Sequence, residues 1–308
     1  MAQRKKDIII ANPMYDVVFK HLMMSDKDTA KYFVGTILNE EIIDINMDVQ
    51  EYTFKKEVKN QKYKSRDIKL IRLDFVATIR TKKGEEKKVL IEIQQAKKPA
   101  DMARFRTYLG KQYIFEENDL QIEKALPIIV IYMLGFNIPQ TSEIAVKIKR
   151  SGTDILGGGD VELKDPLFDA LTHDAYFIQV ARLKREMYKD WEKCSDLMKM
   201  LSLFQQAYFV DKKFLKKYPY PITDKNLKKM INTLEYLAFD PKIRRAMEEQ
   251  HFAELDVLLW NKALNQKDNT ITALKSNNTA LKTSNDALKN QLAEYQRKYG
   301  TLNSAPNE

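Results

Sequence analysis

A pair of alternating segments joined by a glycine-containing turn constrains this chain more than anything else in it. Arg72-Leu73-Asp74-Phe75-Val76-Ala77 and Val89-Leu90-Ile91-Glu92-Ile93-Gln94 flank Thr81-Lys82-Lys83-Gly84-Glu85-Glu86. Successive side chains of a strand point to opposite faces. Ile71, Leu73, Phe75, Ala77 and Ile79 then share one face of the first strand, which leaves Asp74 on the other. Val89, Ile91 and Ile93 share one face of the second, with Glu92 and Gln94 opposite them. The segment between reads as a hairpin loop. If both apolar faces pack one core, Asp74, Glu92 and Gln94 project to the same side. Two carboxylates and an amide so placed can hold a divalent metal, because Mg²⁺ takes one or two carboxylates and keeps positions for water and phosphate. The backbone carbonyl of Ile93 offers a further oxygen. The competing reading of the same residues is a salt-bridged sheet face.

Length and charge set the frame for such a site. The 308 residues, 44% of them hydrophobic, suffice for a generous core. The excess of 52 Lys and Arg over 43 Asp and Glu suits an anionic partner, nucleic acid before membrane. Cys194 is the only cysteine, which excludes a disulfide framework and a thiolate zinc site and fits a reducing cytoplasm. The longest apolar run, Leu126 to Phe136, contains Pro127 and falls short of the ~20 residues that span a bilayer, so a soluble protein without a membrane partner is expected. His21, His173 and His251 have no paired metal-ligand spacing, and no Gly-x-Ser-x-Gly elbow is present.

Along the chain, Asn12-Pro13 is read as opening a helix whose face carries Tyr15, Val18, Phe19, Leu22 and Met23. A second helical stretch follows over Thr29 to Leu38, then strands from Met47 to Ile93, then a helix over about Asp101 to Glu117. Leu126 to Tyr132 is short, apolar and β-branched, hence a buried strand, and Tyr176 to Val180 is another strand candidate. The expected class is α/β, with the last helix of the core crossing over. Gly157-Gly158-Gly159 lacks the Gly-Lys-Ser/Thr of a phosphate loop and reads as a connector. From Met187 the chain is read as helical to its end, punctuated by Pro219, Pro221 and Pro241. The expected organisation is a core over 1–185, a helical region over 186–262, a coiled coil over 263–300 and a disordered tail over 301–308.

The tail has its own period. Leu274, Leu281, Leu288 and Tyr295 recur by sevens, and Ile271, Asn278, Asn285, Leu292 and Tyr299 fill the complementary seam. Asparagine at two a positions costs stability and favours one register, commonly a parallel pair. The seam predicts a homodimer, with a frayed single helix or a disordered tail as the alternative because the seam is short and Lys267 interrupts it upstream.

Four blocks in order carry a resemblance. Asn12-Pro13-Met14-Tyr15-Asp16-Val17-Val18-Phe19-Lys20 resembles the opening helix of the PD-(D/E)XK nuclease family transposases, the group related to the Rpn-type recombination-promoting nucleases. The two alternating segments resemble that family's catalytic strands. Met102-Ala103-Arg104-Phe105-Arg106-Thr107-Tyr108 is similar to the Arg-x-x-x-Tyr helix that follows them. The resemblance covers roughly Asn12 to Tyr132. It implies a restriction-endonuclease-like mixed sheet flanked by helices and a Mg²⁺-dependent DNA endonuclease, with Mn²⁺ or Ca²⁺ as other possible ions, acting in DNA recombination or mobile-element biology. Asp74 and Glu92 would be metal ligands with the Ile93 carbonyl, Gln94 would occupy the third motif position, and Asp16 would approach the metal directly or through water. Lys20, one turn further along, would reach the phosphate or pair with Asp16.

One departure matters. The superfamily's third motif residue is most often lysine, and a neutral amide can orient a water but cannot stabilise developing hydroxide by charge. Arg104, with Tyr108 one helical turn away, is the first candidate to supply that charge, and Lys111 the next. Lys62, Lys64 and Arg66 lie in a basic segment interleaved with Tyr52, Phe54 and Tyr63, which is expected to track DNA phosphates. Two other readings stay open: a catalytically weak DNA-binding module that keeps the fold, and an assembly protein working through its coiled coil.

Overall fold

The computed structural model describes residues 8–51, 73–95, 106, 109–110, 112–113, 126–163, 165–211, 214–222 and 224–300. They form two compact units, Met1–Glu248 and Glu249–Glu308.

In the first unit the chain runs β1 (Ile8–Ala11), α1 (Asp16–Ser25), α2 (Lys27–Leu38), β2 (Ile42–Glu51), β3 (Leu73–Thr81) and β4 (Glu86–Gln94). It continues through β5 (Ile128–Leu134), β6 (Ala145–Ile148), β7 (Gly152–Thr153), β8 (Asp160–Val161), α3 (Pro166–Leu171) and β9 (His173–Gln179). Short 3-10 turns, α4 (Asp196–Leu201), β10 (Phe209–Asp211), β11 (Leu215–Tyr218) and α5 (Lys225–Phe239) follow, and α6 (Pro241–Tyr299) begins there. The class is mixed α/β, as expected. A six-stranded sheet has the order β2-β3-β4-β5-β9-β6. β2, β3 and β4 are antiparallel neighbours, β4, β5 and β9 are parallel, and β6 returns antiparallel at the edge.

Local chemistry explains several boundaries. Asp26 caps α2 by accepting from the Asp28 backbone N–H at 3.1 Å, and Asn39 ends that helix in the left-handed conformation that asparagine tolerates. Gly84 (φ +82°) supplies the turn between β3 and β4, where the hairpin was expected. The helix expected from Asn12-Pro13 starts later, at Asp16. Asn12 Oδ1 accepts from the Met14 N–H, which holds the chain in a turn ahead of the helix.

The sheet is buried on both faces. Phe75, Ala77, Ile79, Val89 and Ile91 pack into the main core with α1 and α2, whereas Val76, Leu90, Val130, Tyr132 and Leu134 form a second cluster on the other side. Residues 186–248, expected as part of a separate helical region, contribute Tyr188, Leu203, Met230, Leu234 and Met247 to the main core. Their apolar faces help complete it, and the first compact unit runs to Glu248.

The expectation of helix throughout from Met187 is also corrected. β10 and β11 interrupt it, and β1 pairs with β11 in a three-stranded sheet. A segment as short and lysine-rich as Leu215–Tyr218 carries no strand signal by itself; its pairing with β1, two hundred residues away in sequence, supplies it. Gly157, Gly158 and Gly159 form the tip of a small hairpin between β7 and β8, with Gly158 at φ +78°. In α6, 59 residues long, the side chains of Ile243 and Met247 are buried, and every described side chain from Leu259 to Gly300 is exposed. Among the described residues no helix is long and apolar enough to cross a membrane.

Candidate functional site

The alternation read from the sequence holds along β4. Val89 and Ile91 enter the main core, and Leu90, Glu92 and Gln94 take the opposite parity, with Leu90 in the second cluster. Glu92 is 5% exposed and Gln94 3%. In the parallel register Glu92 stands beside Tyr132, and Gln94 beside Leu134. The Tyr132 ring is stacked on Phe177 at 4.8 Å. A buried carboxylate and a buried amide therefore close the C-terminal end of this strand, beyond Leu90 on the same face. On the other side of β4, the antiparallel register pairs Phe75 of β3 with Ile91. Asp74, the residue before Phe75, pairs with Gln50 of β2 through its backbone. The Asp74 side chain lies outside the described residues.

Two contacts fix this strand end. The Gly135 N–H donates to the Gln94 carbonyl at 2.7 Å. A Cβ on Gly135 would meet the Gln95 carbonyl oxygen at 2.6 Å and its Cα at 2.9 Å, so only glycine lets the chain leaving β5 pass this close. Gln95 Nε2 donates to the Met14 carbonyl at 2.8 Å, which ties the residue after Gln94 to the segment entering α1. That segment is held from the other side by Asn12 and Gln206, whose side-chain amides hydrogen-bond reciprocally at 3.1 Å.

Glu92 and Gln94 share a buried strand end, and the entry to α1, which carries Asp16, is bonded to the residue that follows them. Asp16 is half-buried in the first turn of α1, where a carboxylate suits the helix dipole, and Lys20 is half-buried one turn on. Ile93 is half-buried against the main core. Arg104, Tyr108, Lys111, Lys62, Lys64 and Arg66 lie outside the described residues. Among the described residues no three His, Cys, Asp or Glu side chains gather as a metal group, and Asp74 is not in that set.

Gln94 carries the most informative geometry. Both its Nε2 and its Oε1 are buried without a hydrogen-bond partner. Thr29 Oγ1, Tyr188 Oη and Trp191 Nε1 are single atoms in that condition; Gln94 alone among the described residues has both ends of its side chain so placed. Leaving a buried donor or acceptor unsatisfied costs about 1–3 kcal/mol each. Buried polar groups without partners are rare enough that each calls for a reason, an ordered water or an ion among them.

Sequence reasoning missed two polar features. Lys216, which falls in the stretch read as helical, is a strand residue 2% exposed, and its Nζ donates to the Gln205 carbonyl at 2.7 Å. Burial pulls its pKa down from 10.5 to about 7. Its position on β11, inward beside outward-facing Lys217, follows from a pairing that no local pattern announces. Tyr113 Oη and His173 Nδ1 lie 2.8 Å apart near the start of β9. Burial raises the tyrosine pKa and lowers that of the histidine.

No family model, curated protein or solved structure matches the chain.

Proposed function

We propose that this chain is a divalent-metal-dependent DNA endonuclease, hydrolysing phosphodiester bonds, with a restriction-endonuclease-like core of the transposase-like PD-(D/E)XK type. The observation that carries the reading is the Gln94 amide, buried at both ends without a partner and two residues from the buried carboxylate of Glu92. A carboxylate this enclosed suits a cation, and an amide that finds no protein partner suits a water held beside that cation. On this reading Asp74, Glu92 and the Ile93 carbonyl are the residues that would hold Mg²⁺. When bound, the ion would neutralise charge on the scissile phosphate and lower the pKa of water.

The chain's own residues have distinct tasks in this reading. Glu92 fixes negative charge at the end of β4. Gln94 accepts from the attacking water and donates to the phosphate, so it orients without adding charge. Arg104 would supply the positive charge that a lysine would bring at the third position, with Tyr108 four residues further along the sequence. Asp16 acts on the metal side from the start of α1, and Lys20, Lys62, Lys64 and Arg66 contact the DNA backbone, which makes binding fall steeply with salt.

The test is nicking and linearisation of supercoiled plasmid in Mg²⁺, Mn²⁺, Ca²⁺ or EDTA. Wild type is run beside Asp74→Ala and Glu92→Ala, after thermal unfolding has shown that all three fold. The expected result is metal-dependent cutting lost in both variants. Binding without cutting in any metal would replace the nuclease with a DNA-binding module.

A further inference from the structure

The second unit carries an apolar surface that stays exposed among the described residues. Leu274, Leu281 and Leu288 of α6 are 61%, 65% and 58% exposed, and Ile271 and Leu292 are also exposed. Isolated helices are held mainly by packing of an apolar face, and this stripe has none within the described residues. Four-residue units repeat along it: Thr272-Ala273-Leu274-Lys275, Thr279-Ala280-Leu281-Lys282 and Asp286-Ala287-Leu288-Lys289. With leucine at d, each unit puts lysine at e, while asparagine fills a at 278 and 285.

These positions choose both the partner and its direction. In an antiparallel pair, a packs opposite d and e opposite e. Asn278 and Asn285 would then face leucine or tyrosine with their amides unpaired, and three lysines per helix would face lysines. In a parallel pair of identical chains, each asparagine meets its own copy and can hydrogen-bond to it. Those lysines, at 275, 282 and 289, then face the g-row residues Thr270, Asn277 and Ser284 of the other helix. We propose that residues 264–299 form a parallel, in-register, two-stranded coiled coil with a second copy of this chain. The inference is independent of the nuclease reading.

The test uses the full chain, of 36.1 kDa, in light scattering coupled to size exclusion at micromolar concentration. Wild type is expected at twice that mass. Leu281→Asp with Leu288→Asp is expected to weaken the dimer at least about a hundredfold, since each pair of buried charges opposes association. Thermal unfolding of the first unit should not move. In a Cys194→Ser background, Leu292→Cys should form an interchain disulfide under mild oxidation. In an antiparallel pair centred on the seam its partner cysteine would lie about 30 Å away. A monomeric wild type, a dimer indifferent to the two aspartates, or a dimer that Leu292→Cys does not cross-link would each overturn the proposal.

Discussion

Gln94 and Gln205 are the same side chain at nearly the same burial, 3% and 2% exposed, in opposite circumstances. Gln205 Nε2 donates to the Leu183 carbonyl at 3.3 Å, and its Oε1 accepts from Tyr220 Oη at 2.6 Å. Its own backbone carbonyl takes the Lys216 ammonium. Gln179, fully buried, is closed in the same manner: its Oε1 accepts from the Ile138 N–H and its Nε2 donates to the Glu143 carbonyl. Gln94 has neither bond. The fold can satisfy a buried glutamine and does so twice, so an open one at the end of β4 is better understood as a group kept for something outside the chain. On the proposed reading that something is a cation with its bound water.

The largest expected effect lies at the open end. Glu92→Ala and Asp74→Ala should each lower plasmid cleavage by about a thousandfold or more, because on the proposed reading each removes a ligand of the cation. Rates within tenfold of wild type would move the chemistry elsewhere in the molecule.

At the closed end the effect should fall on stability. Gln205→Leu leaves Tyr220 Oη and the Leu183 carbonyl without their partner, which should cost about 2–3 kcal/mol in denaturant unfolding. Cleavage per folded molecule should be unchanged. An effect on turnover at full folding would break the contrast.

Lys216 sharpens the closed end through pH. Its folded pKa is depressed to about 7 from 10.5, so between these values the unfolded chain binds a proton that the folded chain does not. Stability from this group therefore rises with pH across that window and is lowest below pH 7, where both states are charged. Lys216→Met should gain on wild type by on the order of 2 kcal/mol at pH 6, with the gain vanishing above pH 10.5. Parallel unfolding curves at pH 6 and 9 would show that the lysine is solvated.

The smallest expected effect separates the two glutamines most sharply. Gln94→Leu removes a buried donor and acceptor that have no partners, and should raise unfolding stability by about 1 kcal/mol while reducing cleavage. Destabilisation by a similar amount would mean that the amide is bonded within the protein.

Part of this arrangement is legible in the sequence. Two-residue alternation sets the parity of Glu92 and Gln94, Gly84 marks the turn, and the run from Leu126 reads as the buried strand that β5 is. The burial of the second face is not legible. Val76 and Leu90 become core with Val130, Tyr132 and Leu134 of β5, set on the same side by the parallel register, and with Leu109, Tyr113 and Phe136 packed against them. Lys216 is hidden for a related reason, since its environment is assembled by β1 and by Gln205, both distant along the chain. The absence of partners around Gln94 is likewise a property of the assembled strand end. A sequence states where an amide falls in a strand, and only the packed neighbours decide whether it is satisfied.

The most direct test of the central claim needs no substrate. Calorimetric titration of the full chain with Mn²⁺ should reveal a saturable site in wild type, lost in Glu92→Gln while thermal unfolding of that variant in EDTA stays cooperative. Equal binding by both proteins, or none by wild type, would contradict a metal centre at the end of β4.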